Sequence, residues 1–190
     1  MKLSEEMNIL TLPEDFTGHN SSRQYIAYVT YPSVFLTEEA ARIKIEVGLR
    51  ETFLMPPAQM QARALLLNPF TRKSLVPDTN LTTLSMKEAI AEKLRAALTR
   101  LEPAIRDFFD IDYLASWNKM DLNDQHLFQL LAEKLKVPGN PPIDLSPARK
   151  EKLKTQINTE LKPMLRPVDF ESFDLDRAFD MVTRISHLPK

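Results

Sequence analysis

The spacing of apolar residues changes once along this chain, near residue 84, and this change constrains the fold more than any other feature. Before that point the apolar residues tend to recur at every second position, as on a half-buried β-strand. After it they recur at every third or fourth position, as on an amphipathic α-helix. Strands that precede helices, rather than alternating with them, are typical of an α+β arrangement. We therefore predict a sheet region over residues 1–84 and a C-terminal helical region, packed on it, over residues 85–190.

The sheet region contains two regular strand patterns. Residues 23–31 are rich in Tyr, Ile and Val and end at Pro32, which is a plausible strand stop. Residues 42–49 alternate between an apolar and a polar face. The apolar face consists of Ile43, Ile45, Val47 and Leu49. A short apolar run follows at residues 62–67, and residues 72–76 are predicted as a further strand.

The helical region contains five predicted helices. The first begins with Ser85-Met86-Lys87-Glu88, a capping-box pattern in which the serine and glutamate side chains satisfy each other's backbone N–H groups, and it runs to about Leu101. The second covers about residues 104–117. Asp121 is the predicted cap of a third helix that ends near Lys136. The remaining two are a helix that begins at Ser146-Pro147 and ends before Pro163, and a last helix that begins at Asp174.

The composition excludes several classes of site. The chain has 190 residues and no cysteine, so disulfides, thiolate metal sites and cysteine nucleophiles are ruled out. Its three glycines lie far apart, so no phosphate-binding loop or dinucleotide turn can be written. No apolar run approaches the ~20 residues of a membrane span, and the N-terminus lacks a signal-peptide core, so we expect a cytoplasmic protein with no membrane partner. A net charge of -1 disfavours bulk nucleic-acid binding but leaves local patches open.

Four charged side chains stand out as candidates for chemistry. Glu46 lies on the polar strand face, where a carboxylate can bind a metal or act as a base, but where a solvated charge beside Lys44 is equally expected. Lys93 lies next to the apolar stripe of its helix, so its ammonium can emerge at the edge of a cleft. Asp107 and Asp110 share a helix face and can orient a base or a metal. Alternatively, Asp110 pairs with Arg106 one turn away.

The fourth predicted helix is rich in basic residues. Its cations outnumber its acidic residues, and such a face can hold RNA phosphates. A solvated helix face is the other interpretation. The basic residues are Arg149, Lys150, Lys152, Lys154 and Lys162.

In combination and in order, several segments resemble the AbiEii/AbiGii-type nucleotidyltransferase family, the toxin half of bacterial abortive-infection and toxin–antitoxin pairs. The resemblance covers about residues 23–117. It rests on the strand Ile43-Lys44-Ile45-Glu46-Val47, on Pro56-Pro57, on the lysine helix of residues 84–100 and on the segment Arg106-Asp107-Phe108-Phe109-Asp110-Ile111.

This resemblance implies a partial polymerase-β-like nucleotidyltransferase sheet followed by a helical bundle. It implies Mg2+-dependent transfer of a nucleotide from an NTP to an acceptor such as tRNA or another RNA, and a cognate antitoxin as partner. Carried over to this sequence, the implied catalytic residues are Lys93, Asp107 and Asp110. The implied nucleotide-binding residues are Lys93, Arg100 and Arg106, and the implied metal ligand is Glu46.

The sequence departs from the family pattern at its first motif. The family carries a Gly-Gly or Gly-Ser turn followed by an Asp-x-Asp pair, and this chain has no such turn. We therefore expect a family member without its N-terminal third, weak or inactive alone. Two alternatives remain open. One is a non-catalytic interaction module that binds an antitoxin, another subunit or RNA and exposes an apolar patch or forms a homodimer. The other is an unrelated soluble α+β protein.

Overall fold

A computed structural model describes residues 19–21, 24–31, 41–49, 51–64, 67–117, 120–121 and 123–187. By its contacts the chain divides into two units, Met1–Thr52 and Phe53–Lys190. This division falls earlier than the boundary at residue 84 that the sequence suggested, because residues 53–84 group with the helices. The described residues contain both the strands and the helices that the pattern predicts, so the mixed helix-and-sheet class is confirmed. None of the described helices is long and apolar enough to cross a membrane.

The described part of the first unit is a three-stranded antiparallel sheet in the order β1-β2-β3. Its strands are β1 (His19–Ser21), β2 (Gln24–Tyr31) and β3 (Ala41–Gly48). Ala27 of β2 lies opposite Ile45 of β3. The pairs two residues away in either direction lie on the same face of the sheet, so the two strands share one apolar face. The apolar residues of β3 and Leu49 are nevertheless between 44% and 51% exposed. The regular alternation thus predicted the strand and its face correctly.

The second unit begins with a two-stranded antiparallel sheet, β4 (Ala58–Ala62) and β5 (Thr79–Thr83). The predicted strand at residues 72–76 is wrong. Only an isolated bridge between Leu67 and Ser74 forms there, at the base of a tight turn. The sequence analysis also missed β5, because its residues are mostly polar and only Leu81 is a large apolar residue. The predicted apolar run at residues 62–67 lies partly outside the described residues.

Six α-helices follow in the described part of the second unit. A π-turn (Ile157–Leu161) and a 3₁₀ turn (Lys162–Met164) separate the fourth from the fifth. The helices are α1 (Met86–Thr99), α2 (Ile105–Ser116), α3 (Gln125–Leu135), α4 (Pro147–Gln156), α5 (Pro167–Ser172) and α6 (Leu175–Ser186). The helix α5 was not predicted.

The N-caps follow the sequence signals in three of four cases. Ser85, Ser146 and Asp174 each accept a hydrogen bond from a backbone N–H in the first turn of their helix, as expected. The predicted cap Asp121 is wrong. Asp124 caps α3 instead, with Oδ1 accepting from the N–H groups of His126 and Leu127 at 3.0 and 3.2 Å. An aspartate three residues later in the sequence has the same chemistry, so the pattern alone could not separate the two.

The core of the second unit forms where α1 packs against α2, α3 and α6. Leu94 and Leu98 of α1 and Phe108 and Ile111 of α2 are completely buried. Phe108 stacks on Phe179 of α6, with ring centroids 5.7 Å apart. This core fixes the relative position of α1 and α2, the two helices that carry the candidate residues Lys93, Asp107 and Asp110.

A buried ion pair also lies in this core. Glu88 accepts hydrogen bonds from the N–H groups of Leu54 and Met55, each at 3.0 Å, and Lys134 Nζ of α3 lies 3.0 Å from its Oε1. The second half of the predicted capping box is therefore wrong, because the Glu88 carboxylate binds residues distant in sequence rather than Ser85. Burial opposes its ionisation, but the Leu54 N–H, the Lys134 ammonium and the Met55 N–H together hold the pKa of Glu88 below its usual range.

Candidate functional site

Three of the candidate residues meet where α1 and α2 face each other. Lys93 Nζ lies 2.6 Å from Asp110 Oδ2 and 3.7 Å from Asp107 Oδ1. Lys93 occupies the middle of α1, and the two aspartates lie three residues apart on one face of α2, as their spacing predicted. Residues from two separate sequence segments thus form one charged cluster.

Arg100 joins this cluster from the end of α1. It is the residue that terminates the helix, and its Nε lies 3.0 Å from Asp107 Oδ2. Asp107 is buried, with only 2% of its side chain exposed, whereas the side chains of Lys93 and Arg100 are each 40% exposed. Asp107 also lies in the first turn of α2, where the helix dipole favours a negative charge. A fixed buried anion therefore orients two cations that reach solvent.

The turn between α1 and α2 is held by two residues of α4 that lie seven apart. Arg149 donates hydrogen bonds to the carbonyl oxygens of Arg100 and Ala97, at 2.8 and 3.0 Å. Gln156 accepts from the N–H of Ile105 at 2.8 Å and donates to the carbonyl of Pro103 at 2.9 Å. Because these bonds satisfy backbone groups at one helix end and the next helix start, α4 fixes the backbone that carries Arg100 and Asp107.

Arg149 is a buried cation that the sequence analysis placed on a basic surface. Burial lowers the pKa of its guanidinium, although Asp144 and Asp107 oppose that effect. Its Nε is buried without a hydrogen-bond partner, and Asp107 Oδ2, although 3.0 Å from Arg100 Nε, is buried without a hydrogen bond of normal geometry. Arg149 and Leu153 lie four residues apart, and therefore on one face of α4, and both are buried. This spacing is the signal in the sequence from which the burial of Arg149 could have been predicted. The cluster thus retains buried polar atoms with unused hydrogen-bonding capacity.

The remaining two candidates are Arg106, which belongs to the second unit, and Glu46, which belongs to the first. Arg106 is exposed at the start of α2, and the carboxylate of Asp110 pairs with Lys93 rather than with Arg106 in the described part of the chain. Glu46 belongs to the first unit, where its Oε1 lies 2.5 Å from Lys44 Nζ. Its hydrogen bond raises the pKa of Lys44, opposed by slight desolvation. Both side chains are about half exposed, as expected for a solvated strand face.

The described residues do not by themselves form a metal site. No group of three or more His, Asp or Glu side chains comes together among them. Asp107 and Asp110 are both engaged by cations, and Glu46 is engaged by Lys44. The carboxylates of the cluster are therefore occupied, whereas the Lys93 ammonium and the Arg100 guanidinium reach solvent, so the cluster fits a phosphate group better than it fits a divalent ion.

The basic helix offers few unpaired charges for RNA. Lys150 lies 2.8 Å from Asp176, Lys152 lies 3.7 Å from Glu102, and Lys154 lies 2.7 Å from Glu151. With Arg149 buried, the basic face of α4 is largely neutralised. The structure therefore favours the interpretation of a solvated, ion-paired helix face over a phosphate-binding one.

Comparison with known proteins assigns the chain to a family. Residues 2–183 match the family described as nucleotidyl transferase AbiEii toxin, type IV TA system. No curated protein and no solved structure matches the chain. The match covers most of the chain and extends on both sides of residues 23–117, which carried the resemblance. The chain belongs to the AbiEii nucleotidyltransferase toxin family.

Membership of this family sets the general class of activity. It indicates a nucleotidyltransferase toxin of a type IV toxin–antitoxin system, and therefore an NTP substrate, use of a divalent metal and a cognate antitoxin. It excludes the hypothesis of an unrelated α+β protein. The lysine helix and the Arg-Asp segment of the resemblance are the elements that the structure brings together.

Proposed function

We propose that this protein binds an NTP at the cluster of Lys93, Arg100, Asp107 and Asp110 and transfers the nucleotide to an RNA acceptor such as tRNA, in the cytoplasm. The observation that carries the proposal is the pairing of two half-exposed cations with one buried carboxylate, Asp107. Such an arrangement fixes positive charge before the ligand arrives, so little reorganisation is needed when a triphosphate binds.

When a nucleotide binds, Lys93 can exchange its contact with Asp110 for a contact with a phosphate group. Both side chains are more than one-third exposed, and an ion pair of that kind contributes only about 0–1 kcal/mol. An incoming phosphate group can therefore displace Asp110 from Lys93 at low cost, while buried Asp107 keeps Lys93 and Arg100 in place. Arg106, exposed at the start of α2, adds a further cation for the nucleotide.

We propose Glu46 as one oxygen ligand for Mg2+, which supplies charge neutralisation during phosphoryl transfer. Glu46 pairs with Lys44 in this structure, but both side chains are exposed, so this ion pair contributes little and the carboxylate can exchange it for another cation. The family's Asp-x-Asp pair after a Gly-Gly or Gly-Ser turn is missing from this sequence. We therefore expect slow transfer by the chain alone.

Transfer of an α-labelled NTP to tRNA in the presence of Mg2+ tests the proposal. We expect Lys93→Met to lower transfer at least about tenfold, since it removes a charge that contacts the phosphates. Lys136→Met is the matched control, because Lys136 is also ion-paired, to Glu133 at 2.7 Å, but lies outside the cluster. Equal transfer by the wild type and the Lys93 variant would refute the assignment.

A second candidate function is a non-catalytic interaction module, favoured by the first sheet. Its apolar face is half exposed, and β3 is the last strand of its sheet among the described residues, so its outer backbone groups have no strand partner in that part of the chain. A homodimer through β3 would satisfy them. Light scattering tests this candidate: Ile45→Lys should convert a dimer into a monomer, and a monomeric wild type would contradict it. Detectable transfer by the wild type would favour the catalytic proposal.

A further inference from the structure

A tight turn in the second unit, Asn68–Lys73, has a fixed backbone. Asn68 N–H donates to the carbonyl of Lys73 at 2.8 Å, and Arg72 N–H donates to the carbonyl of Asn68 at 2.9 Å. Asn68 Oδ1 also accepts from the N–H groups of Phe70 and Thr71, each at 2.9 Å. Arg72 has a φ of 57°, which is uncommon for a residue with a side chain. These bonds hold the turn in one shape and determine where its side chains project.

The turn holds Phe70 in solvent. Its side chain is 92% exposed, which leaves both faces of the ring open. Burying such a side chain is favourable, and the fold leaves this gain unused. The neighbouring apolar residues Leu67 and Leu75 are only about half exposed. The feature is therefore one open ring on a rigid support, rather than a broad apolar patch of the size that a protein interface requires.

The charged residues nearest this ring in the sequence are positive. Arg72 and Lys73 follow it within three residues, and residues 67–77 contain no acidic residue. Neither cation forms an ion pair in the described part of the chain, whereas Arg63, nearby in sequence, lies 3.3 Å from Asp78. This local excess contrasts with the near-neutral charge of the whole protein. An open aromatic face beside unpaired cations is the combination that binds single-stranded nucleic acid.

We propose that the turn Asn68–Lys73 is a binding site for single-stranded nucleic acid, in which an unpaired base stacks on Phe70 while Arg72 and Lys73 contact the flanking phosphates. Stacking on a ring requires no particular base, so the site recognises unpaired structure rather than sequence. The proposal deepens the proposed function, because it supplies a place for the acceptor strand. The binding itself requires neither NTP nor transfer.

Fluorescence anisotropy with short labelled oligouridine and oligothymidine, without NTP or Mg2+, tests this site. We expect Phe70→Ala to weaken binding roughly 5- to 160-fold, because stacking contributes about 1–3 kcal/mol per base. Phe70→Trp should retain binding, while Phe70→Leu, which keeps an apolar side chain but no ring, should lose it. The matched control is Trp117→Ala, which removes another exposed aromatic, 62% exposed, from a different surface.

The two cations have their own expected effect. Replacing both Arg72 and Lys73 by Gln should reduce the slope of log affinity against log salt concentration by about 1.4, at about 0.7 per phosphate contact on a single strand. Thermal unfolding should stay unchanged in the Phe70, Arg72 and Lys73 variants, since these three side chains are exposed.

Several results would overturn the proposal. The first is wild-type affinity in Phe70→Ala, or equal affinity of Phe70→Leu and wild type. The second is no binding of either oligonucleotide. The third is Phe70-dependent binding to anionic phospholipid vesicles or to the antitoxin instead of to the oligonucleotides. Lys93→Met separates this inference from the proposed function. It should lower transfer at least about tenfold while leaving oligonucleotide affinity unchanged, so failure of transfer and failure of binding are distinguishable. A difference between oligouridine and oligothymidine identifies which nucleic acid the site prefers.

Discussion

The strand β3 and the helix α1 have equally regular apolar patterns, but their surroundings differ. Ile45 of β3 is 44% exposed, whereas Leu94 of α1 is completely buried. Apolar residues on three further helices cover the stripe of α1. The comparison shows that periodicity determines secondary structure and which face is apolar, but burial depends on whether another element provides a complementary surface.

The largest expected difference between the two regions comes from removing an apolar side chain. Phe108→Ala should destabilise the second unit by about 4 kcal/mol, because it leaves a cavity beside Phe179. Ile45→Ala should have a far smaller effect, since half of that side chain already contacts solvent. Chemical denaturation of both variants checks this. Comparable losses would mean that the face of β3 is covered in solution.

The next largest effect is expected at the buried ion pair. Glu88→Ala should cost about 3 kcal/mol, because the N–H groups of Leu54 and Met55 lose their acceptor and the buried Lys134 ammonium loses its carboxylate at 3.0 Å, with Glu92 Oε2 still 3.7 Å away. Urea unfolding measures the loss. Glu133→Ala is the control, an exposed glutamate on α3 that pairs with Lys136. A loss as small as that of the control would show that the pair is open to water.

The same carboxylate predicts a pH dependence. The pKa of Glu88 is lower in the folded protein than in the unfolded chain, so the unfolded state binds the proton more readily. Its stabilising contribution should be complete above the unfolded pKa of about 4.3 and should disappear as the pH falls through the folded pKa. The stability difference between wild type and Glu88→Gln, followed from neutral pH into acid, should therefore shrink. A constant or growing difference contradicts the assignment.

A smaller effect separates the two candidate caps of α3. Asp124→Ala should destabilise by about 1 kcal/mol, because the first turn loses its capping oxygen. The same change removes the ion pair with Lys87, whose Nζ lies 2.7 Å from Asp124 Oδ2. Asp121→Ala should cost clearly less in the same thermal unfolding experiment. A larger loss of stability for Asp121→Ala than for Asp124→Ala would show that Asp121 caps α3, as the sequence suggested.

The smallest effect is expected on the exposed face of β3. Glu46→Gln should leave the melting temperature essentially unchanged without metal, because exposed ion pairs such as Lys44–Glu46 contribute little. If Glu46 is a Mg2+ ligand, as proposed, the same variant should lower transfer and raise the Mg2+ concentration that transfer needs. A variant that matches the wild type in both respects would remove Glu46 from the site.

Local signals in the sequence were sufficient for most elements but not for their partners. The caps Ser85, Ser146 and Asp174 could be predicted because a cap interacts only with its own first turn. The role of Glu88 could not, because its carboxylate binds a backbone segment more than thirty residues earlier, and a helix further on. The strand β5 could not be predicted, because strand formation there depends on pairing with β4 rather than on apolar alternation.

The candidate site shows the same limit. The spacing of Asp107 and Asp110 predicted that they share one helix face, and the family resemblance named Lys93 as a further site residue; that the three side chains meet is seen in the structure. The contribution of Arg149 and Gln156 could not, because each contacts a turn about fifty residues earlier in the chain. Such contacts depend on how α4 packs, which no local pattern encodes. Whether the cluster performs the proposed chemistry stays a prediction.

The most direct test of the central claim is calorimetric titration of Mg2+–NTP into wild type and Lys93→Met, with Lys136→Met as the control. The account predicts that the wild type and the control bind alike, and that Lys93→Met binds at least about tenfold more weakly with an unchanged melting temperature. Binding of the same strength by Lys93→Met, or no binding by the wild type, would contradict the claim that this cluster is the nucleotide site.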